Sequence, residues 1–441
     1  PARRLRTERE DVMQLKGKSL LLVGLTLFSM FFGAGNLIFP PGIAAQAGTA
    51  TWPAFLGLAV SAVGLPVLGV VAVARAGGLD TLCSRVHPLF SKAFTIAAYL
   101  AIGPCLAIPR TATTSFEMAV PPFAGPDAPL SLFRLIYSLV FFAAALVIAL
   151  RPEKLTDRLG KILCPILVVL IVVTFAGCLV NPLSGYGPAS GDYVTHPVVK
   201  GFLEGYQTMD TIAALAFGIV IAVNIRARGV SEDKAVVKGT IRSGFIAGAL
   251  LLIVYAMLAH IGALSGGAVP NPTDGAAALT NVVGLLFGPL GNALLAAIFI
   301  IACFNVCVGL ISSCGEFFHK LFPGLSYRGW AVLFAVVSMV ISNAGLAQII
   351  SVSAPVLGVL YPMAIVLIAL SFFQRWLEGR RLVYPVAILF TGVASVLYAL
   401  LDLKLPLTFL EAVPLADLGL GWVLPAAAGI LLGLLLSPKK R

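Results

Sequence analysis

The stretch MFFGAGNLIFPPGI, Met30 to Ile43, decides how this sequence folds. It lies inside the first long apolar segment of the chain. It nevertheless contains three glycines, an asparagine and a proline pair, all of them poor helix formers. Pro40 and Pro41 lack the backbone N–H groups that a continuing helix uses. We therefore expect a helix that is broken here, with the prolines starting its outer half.

The composition indicates that this segment crosses a membrane. Of the 441 residues, 59% are hydrophobic and 11% are charged, and the mean hydropathy is +1.00, far from the values of soluble globular domains. Apolar runs of roughly 17–25 residues recur along the chain, and each is long enough for a hydrocarbon core about 30 Å thick. The sequence predicts an all-α polytopic membrane protein with no soluble domain.

The apolar runs predict twelve transmembrane helices with both chain ends in the cytoplasm. On that count 26 of the 30 basic residues lie on the cytoplasmic side, as the positive-inside rule requires. The net charge of +11 then reflects topology and contact with anionic membrane lipids, and we expect no nucleic-acid binding. The predicted spans lie near residues 19–47, 52–74, 93–118, 133–150, 162–180, 199–224, 243–264, 291–318, 329–342, 346–373, 382–401 and 420–437.

A second defect lies in the sixth predicted span, GFLEGYQTMDTIAALAFGIVIAVN, Gly201 to Asn224. Gln207, Thr208 and Asp210 stand near the middle of this apolar helix, where a carboxylate costs at least ~2.5 kcal/mol to insert. We interpret Asp210 as a functional residue. The alternative is that it serves as an internal counter-charge for Arg110.

The two defects occupy spans one and six, which predicts an inverted repeat. Because five is odd, two five-span units enter the membrane from opposite sides, and in such transporters discontinuous helices form the binding site near the midplane. Their helix N-termini suit an anion, while their free carbonyls suit a cation. The predicted divisions are a cytoplasmic N-terminal segment at 1–18, five-helix repeats at 19–180 and 199–373, helices 11 and 12 at 382–437, and a cytoplasmic C-terminus at 438–441.

The eighth predicted span supplies a candidate cation site. Gly309, Ser312 and Ser313 follow the spacing i, i+3, i+4, so one carbonyl and two hydroxyls project from a single helix face. Oxygen ligands at that spacing suit a hard alkali cation. The alternative is that the serines bond back to their own helix.

The third predicted span carries two charges, Arg110 and Glu117. They are seven residues apart, so they share a face but lie roughly 10 Å apart along the axis and cannot pair with each other. For Arg110 we consider an ion pair with Asp210, an ion pair with Glu316, and a role in the scaffold.

These motifs together resemble the bacterial branched-chain amino acid:cation symporter family. The resemblance covers essentially the whole chain and implies sodium-driven import of leucine, isoleucine and valine across the bacterial cytoplasmic (inner) membrane. It also implies a five-plus-five inverted-repeat fold with discontinuous helices 1 and 6 and two additional C-terminal helices. The segments that carry it are GAGNLIFPP, PRTATTSFE, GYQTMDTIAALAFGIVI and the run ending SSCGEFF.

The resemblance also implies roles for individual residues. Backbone N–H groups at the first break would bind the substrate carboxylate, and the second break would meet the ammonium. The implied substrate-binding residues are Ala34, Gly35, Asn36, Gln207, Thr208, Met209 and Asp210. The implied sodium ligands are Ser29, Phe32, Gly309, Ser312 and Ser313, with Asn36 as a candidate ligand of a second sodium ion.

Other functions remain as alternatives at this point. A proton-coupled amino-acid transporter would use Asp210 as the carrier, since burial favours the neutral form of a carboxylate. A transporter of another amine or of a nucleobase could share the fold. A channel would need a continuous polar pore, whereas the polar residues cluster in short patches. We expect no enzyme, because neither a nucleophile with a base nor a metal-ligand set appears.

Overall fold

The computed structural model describes residues 17–125, 127–150, 155–181, 183, 185–269 and 274–437, and the side chains of 155–164 and Ile219 are not described. Within this part of the chain the protein is all-α, with no strand. The basic segment before Gly17 and residues 438–441, on which the topology prediction partly rests, lie outside the described residues.

The first half of the chain contains two bent helices in addition to straight ones. One turn of π-helix, Val60–Gly64, joins α3 to α4, and another, Ala101–Cys105, connects α6 to α7. The helices are α1 (Gly17–Phe31), α2 (Ala34–Ala47), α3 (Thr51–Ala59), α4 (Leu65–Ala76), α5 (Leu79–Ser84), α6 (Pro88–Leu100), α7 (Ala107–Ala119), α8 (Leu130–Ala149) and α9 (Leu155–Val180).

The second half contains the longest helix, which is kinked at Gly288, where φ is +56° and Pro289 follows. Short 3₁₀ segments occur at Gly48–Ala50, Pro121–Phe123, Gly191–Tyr193, Gly205–Thr208 and Thr408–Ala412. The helices are α10 (Pro197–Glu204), α11 (Asp210–Arg226), α12 (Asp233–Ala268), α13 (Gly275–Leu321), α14 (Tyr327–Ser342), α15 (Leu346–Phe372), α16 (Gln374–Leu377), α17 (Val383–Asp402) and α18 (Val423–Leu436).

Length and composition identify many of these helices as membrane-spanning. Among the described residues, seven helical stretches pass both criteria, and α10 with α11, bent by 49°, makes an eighth. Four shorter apolar helices accompany them: Gly17–Phe31, Pro165–Val180, Tyr327–Ser342 and Val423–Leu436. The chain is a multi-pass membrane protein, and each of the twelve predicted spans overlaps a helix. The exact number of crossings stays a prediction.

The contacts between helices repeat when each helix is replaced by the one five predicted spans away; we call this regularity the exchange symmetry of the packing. In predicted span numbers, α1 and α2 (span one) pack on α12 (span seven), while α10 and α11 (span six) pack on α3 and α4 (span two). Similarly, α9 contacts α1, α12 and α13, whereas α15 contacts α11, α4 and α7. Replacing each helix by the one five spans away preserves this pairing. An inverted repeat would produce this pattern, and the repeat itself stays a prediction.

Glycines make the close crossings that hold the broken helices in place. A Cβ atom at Gly201 of α10 would lie 2.0 Å from the carbonyl oxygen of Ala54 in α3. A Cβ atom at Gly262 of α12 would lie 2.1 Å from the carbonyl oxygen of Pro41 in α2. Small residues allow membrane helices to approach backbone to backbone. These crossings fix one half of each broken helix against its neighbour.

Candidate functional site

The first break separates α1 from α2 at Gly33, whose backbone is extended (φ −128°, ψ −158°). In α2, the N–H of Leu37 bonds the carbonyl oxygen of Gly33 at 3.3 Å. The N–H groups of Ala34, Gly35 and Asn36 precede this bond and have no helical carbonyl in reach, as at any helix start. Such groups, at the positive end of the helix dipole, form a favourable environment for an anion.

The position of the prolines differs from the expectation. Pro40 and Pro41 do not start the outer half-helix, because α2 begins at Ala34 and continues through both prolines to Ala47. An interior proline costs about 3 kcal/mol relative to alanine in an isolated helix. Here α2 is almost wholly buried against α12 and α13, and this packing outweighs the local preference.

The second break separates α10 from α11. The chain leaves α10 through the 3₁₀ segment Gly205–Thr208, and Met209 then adopts a left-handed conformation (φ +64°, ψ +6°) before α11 begins at Asp210. A residue other than glycine in this region costs on the order of 1–3 kcal/mol. The Thr208 hydroxyl donates to the Gly205 carbonyl oxygen at 2.9 Å and accepts from the Asp210 N–H at 3.5 Å. The break is thus a defined local structure.

The two breaks face each other at Gly35. A Cβ atom at this position would lie 3.2 Å from Thr208 Cα, 3.4 Å from the Gln207 carbonyl oxygen and 2.9 Å from Arg110 Nη2. Only glycine leaves enough space for this approach. The structure therefore brings together the predicted substrate-binding residues of both helices. The Gln207 side chain is buried, and its Oε1 has no hydrogen-bond partner among the described residues.

A buried network of hydrogen bonds connects the two breaks. The Asn36 Oδ1 accepts from the Gly33 N–H at 3.0 Å, and its Nδ2 donates to Asp210 Oδ2 at 2.6 Å and to the Tyr255 hydroxyl. The Tyr255 hydroxyl donates to the same Asp210 oxygen at 2.8 Å. The side chain of Asp210 therefore links the start of α11 to α2 and α12. Tyr255 was not predicted from the sequence; its only signal is a polar hydroxyl in a long apolar helix.

Arg110 lies beside this network without a direct counter-ion. It is 2% exposed, and its Nε and Nη1 have no hydrogen-bond partner among the described residues. Its guanidinium lies 5.4 Å from the ring centre of Phe39. No ion pair joins Arg110 to Asp210 in the part of the chain that is described. The Glu316 alternative is wrong, because Glu316 is exposed and pairs with Lys320 at 2.7 Å.

The other membrane carboxylates have ordinary partners. Glu117 pairs with Arg134 of α8 at 3.5 Å, which agrees with the expectation that it cannot reach Arg110. Glu204 pairs with Lys200, one turn earlier in α10, at 3.1 Å. Among the described glutamates and aspartates of the transmembrane helices, Asp210 therefore differs from these two in being fully buried and bonded to uncharged donors.

A small cavity of about 40 Å³ lies between the two breaks. Its lining includes the residues from Gly33 to Asn36, the charged residues Arg110 and Asp210, and apolar residues such as Phe217. A cavity needs roughly 10–15 Å³ of such space to hold one water molecule, so this one has room for only a few. The helices around the cavity must therefore move apart before a larger ligand can enter.

The predicted sodium ligands lie on two helices that touch, α1 and α13. Asn305 of α13 donates through Nδ2 to the Ser29 hydroxyl at 2.7 Å and to the Ser29 carbonyl oxygen at 3.4 Å. Asn305, Gly309 and Ser312 follow the spacing i, i+4, i+7 and so lie along one side of α13, where Asn305 is the residue that bonds α1. The Ser312 hydroxyl donates to the Val308 carbonyl oxygen at 2.9 Å, the back-bonding geometry considered above as the alternative.

The remaining predicted sodium ligands are Phe32 and Ser313. The Phe32 N–H donates to the Phe28 carbonyl oxygen at 2.8 Å, and the two rings stack with centres 5.1 Å apart. Ser313 is half-buried. Next to Ser29, the structure places Asn305, which sequence reasoning missed because a single asparagine stands outside the glycine–serine pattern.

Comparison with known proteins identifies the family. The model of the family described as branched-chain amino acid transport protein matches residues 16–440. The chain is 41% identical to the branched-chain amino acid permease BraB of Bacillus subtilis (strain 168), over 95% of this chain and 96% of the relative. It is 44% identical to the branched-chain amino acid transport system 2 carrier protein of Pseudomonas aeruginosa, over the same shares. It is 39% identical to the permease BrnQ of Escherichia coli (strain K12), over 96% of each.

Solved structures support the fold. One is Mhp1, a nucleobase-cation-symport-1 family transporter in a closed conformation, with a TM-score of 0.57, 14% identity and coverage of 96% of this chain and 94% of that chain. Another is MhsT in complex with L-phenylalanine, with a TM-score of 0.55, 17% identity and coverage of 96% and 99%. The family and these relatives are transporters, not enzymes. The chain belongs to the branched-chain amino acid transport protein family.

Proposed function

We propose that this protein is a secondary active symporter that imports leucine, isoleucine and valine together with sodium ions. The observation that carries the proposal is the pair of opposed helix breaks, joined by the Asn36–Asp210–Tyr255 network and buried in a member of this family. The permeases and the carrier protein compared above are named for branched-chain amino acids. A buried site at two broken helices is typical of secondary transporters.

The chemistry of the breaks suits a zwitterion. The N–H groups of Ala34, Gly35 and Asn36 would bind the substrate carboxylate, since a helix N-terminus favours an anion. The substrate ammonium would meet the carbonyls from Gln207 to Met209 and the carboxylate of Asp210, which are hydrogen-bond acceptors. An amino acid offers both groups on one carbon atom and so fits between the breaks.

A sodium ion would bind between α1 and α13. The proposed ligands are the carbonyl oxygens of Ser29, Phe32 and Gly309 and the hydroxyls of Ser312 and Ser313, with Asn36 as a candidate ligand of a second ion. Support comes from the α13 face that meets α1 and from the open space beside Gly309, where a Cβ would meet nothing within 4 Å. Oxygen ligands suit a hard cation. Ser312 would turn its hydroxyl from Val308 towards the ion.

Alternating access follows if the ion and the substrate each bind one state more tightly than the other. Sodium between α1 and α13 would favour the outward-open state, substrate would draw the breaks together, and inward opening would release both. The coupling is this difference in affinity between states. A monovalent cation that enters at −100 mV gains about 2.3 kcal/mol from the potential. One ion per substrate would then support accumulation of roughly 50-fold by this contribution alone.

The proposed location is the bacterial cytoplasmic membrane, with the N- and C-termini in the cytoplasm. The charge asymmetry of the sequence supports this orientation. Membrane lipids are then the permanent environment of the protein. The lipid-facing helices agree with this, since α8 exposes many large apolar side chains, among them Leu132, Ile136, Val140 and Val147.

Proton coupling is the second candidate, and a specific contact favours it. The Asp210 carboxylate is fully buried and bonded to a tyrosine hydroxyl, a setting in which a carboxyl group can take up and release a proton. In this alternative Asp210 carries the coupling ion, and the α1–α13 interface is structural.

Uptake into proteoliposomes separates the two candidates. We expect an inward sodium gradient at equal pH to drive leucine accumulation, and a pH gradient without sodium to give none. Liposomes without protein serve as the inactive reference. Accumulation driven by pH alone, and unaffected by sodium removal, would establish proton coupling. A lack of leucine, isoleucine and valine uptake under either gradient would reject the substrate assignment.

A further inference from the structure

The charge of Arg110 is unexplained by the function proposed so far. A buried guanidinium in a membrane protein normally pairs with an acid or with carbonyl groups. Arg110 is 2% exposed, and two of its three nitrogens have no hydrogen-bond partner within the described ranges. Asp210 is the other charged residue at the cavity between the breaks. The hydrogen bonds to its side chain come from Asn36 and Tyr255, however, and not from Arg110. A structural arginine would be expected to use its donors.

The third nitrogen, Nη2, is directed at the start of α2. It lies 2.9 Å from the point where a Cβ atom of Gly35 would be. It is therefore adjacent to the N–H groups of Ala34, Gly35 and Asn36, which carry the positive end of the α2 dipole. Two independent sources of positive charge, a helix N-terminus and a guanidinium, converge on one point. Both line the cavity between the breaks.

We propose that Arg110 and the N-terminus of α2 together form a subsite for the α-carboxylate of the substrate, with Arg110 as a specificity-determining residue. The inference rests on the proposed amino-acid transport and adds the group that selects the carboxylate. A guanidinium presents a fork of donors that matches the two oxygens of a carboxylate. The free donors of Arg110 are those that a substrate carboxylate would engage.

The opposite charges of Arg110 and Asp210 explain why neither residue has a charged partner in direct contact. Both residues line the same small cavity, so their charges compensate each other without forming an ion pair. A zwitterion placed between them would turn its carboxylate to Arg110 and its ammonium to Asp210. The subsite therefore selects molecules with both charges. A branched amine or a branched carboxylic acid alone would leave one of the two protein charges buried and unpaired, which is unfavourable.

The test compares leucine with two analogues, each of which lacks one of its two charged groups. Purified full-length protein is titrated with leucine, with isoamylamine, which lacks the carboxylate, and with 4-methylpentanoate, which lacks the ammonium. Thermal stabilisation at each concentration gives the apparent Kd. For the unchanged protein we expect leucine to bind at least about 100-fold more tightly than isoamylamine, because the amine leaves a buried charged donor unpaired.

Substitution at Arg110 should remove this preference. In Arg110→Gln we expect leucine affinity to fall by about 30-fold or more while isoamylamine affinity changes by less than about 3-fold. Arg110→Lys keeps the charge and should fall between the two proteins. Arg134→Gln is the matched control: it removes a membrane arginine that pairs with Glu117, and its preference for leucine should equal that of the unchanged protein. If Arg110→Gln kept the full preference, the assignment would be overturned.

Two further experiments test the same subsite, one with a substitution at Gly35 and one with a change of anion. Gly35→Ala places a methyl group beside Nη2 at the helix start, so it should weaken leucine binding more than isoamylamine binding even if the Arg110 variants do not fold. An unchanged leucine preference in this variant would count against the subsite. Replacement of chloride by gluconate should leave leucine affinity unchanged. A loss of leucine binding without chloride, absent in Arg110→Gln, would assign Arg110 to an inorganic anion and overturn the proposal.

The failure of the proposed function has a different signature. If the unchanged protein bound no branched-chain amino acid, the substrate assignment would fall. The same titration with phenylalanine and phenethylamine, and with alanine and ethylamine, would then decide the subsite. A preference for the carboxylate form that depends on Arg110 supports the subsite with another amino acid. No preference in any pair overturns it.

Discussion

The Asp210 carboxylate connects the two broken helices to each other and to α12 through hydrogen bonds. Asn36 and Tyr255 both donate to the same oxygen, Oδ2, and hydrogen bonds to a charged acceptor contribute about 1.5–3 kcal/mol each. A movement of α2 or α12 relative to α11 must break one of these bonds. If both bonds stay intact, the three helices must move together. We therefore expect Asp210 to link the movements of these helices as well as to carry a charge.

Substitutions in this network should reduce transport in a defined order. Asp210→Asn removes the charge and should abolish leucine uptake, a loss of more than about 100-fold. Tyr255→Phe removes one donor to the carboxylate and should lower kcat/KM for uptake by about 10-fold, or roughly 1.4 kcal/mol. The control is Tyr398→Phe, whose hydroxyl donates to Leu410 far from the site. Uptake at the level of the unchanged protein in Asp210→Asn would show that the carboxylate is only a packing group.

The serine pair of α13 should affect sodium and leave the amino acid alone. With Ser312→Ala and Ser313→Ala combined, we expect the sodium concentration for half-maximal leucine uptake to rise by at least about 10-fold, since two oxygen ligands are lost. The KM for leucine at saturating sodium should stay within about 2-fold. Ser353→Ala is the control, because this buried serine bonds back to Ile349 in the same way. An unchanged sodium dependence would exclude the two serines as ligands.

At single residues, the sequence predicted those that break a local rule and missed those that do not. Asn36 and Asp210 are polar groups in apolar helices, and the structure places them in direct contact. Tyr255 and Asn305 belong to the same interfaces, but neither stands beside a helix-breaking glycine or proline, and neither carries a charge. Their roles depend on which face of α12 or α13 meets the broken helix, and that is decided by tertiary packing.

Elements were easier to predict than the details of their ends. Glycine pairs and a buried acid indicated both breaks, because a continuous helix would be costly at those residues. The place of the first break was shifted: the chain interrupts the helix at Gly33 and continues it through Pro40 and Pro41. Local propensity favoured a break at the prolines, and the burial of α2 between α12 and α13 reversed that preference.

The glycine crossing between α12 and α2 should be sensitive to one methyl group. Gly262→Ala would place Cβ 2.1 Å from the Pro41 carbonyl oxygen, so α2 must shift, at a cost of about 1–3 kcal/mol. We expect a lower Tm and weaker leucine binding, because α2 carries one wall of the site. Gly358→Ala in α15 is the control, since its Cβ would meet nothing within 4 Å. That change should leave the Tm equal or slightly higher, whereas equal Tm values for Gly262→Ala and Gly358→Ala would contradict the close crossing.

At the scale of the whole molecule, the cavity between the breaks holds only about 40 Å³, so transport requires helices to move relative to one another. The exchange symmetry of the packing suggests how. If α1 and α2 on α12 correspond to α10 and α11 on α3 and α4, then one half of each broken helix can open on its own side of the membrane by the same rearrangement. This requires the two halves of the chain to be inverted relative to each other, and hence an odd number of crossings between them.

Cysteine labelling in intact cells tests that inversion. With twelve spans and a cytoplasmic N-terminus, Asp192 and Asp417 lie outside the cell, while Arg228 and Glu378 lie inside; the four are all on loops or helix ends. Single cysteines at Asp192 and Asp417 should react with a membrane-impermeant maleimide, and cysteines at Arg228 and Glu378 should react only after permeabilisation. The unchanged protein measures the background, including the exposed Cys105. If the N-terminus is cytoplasmic, a cysteine at Asp192 that reacted only after permeabilisation would mean an even number of crossings before the sixth span, and the inverted repeat would have to be abandoned.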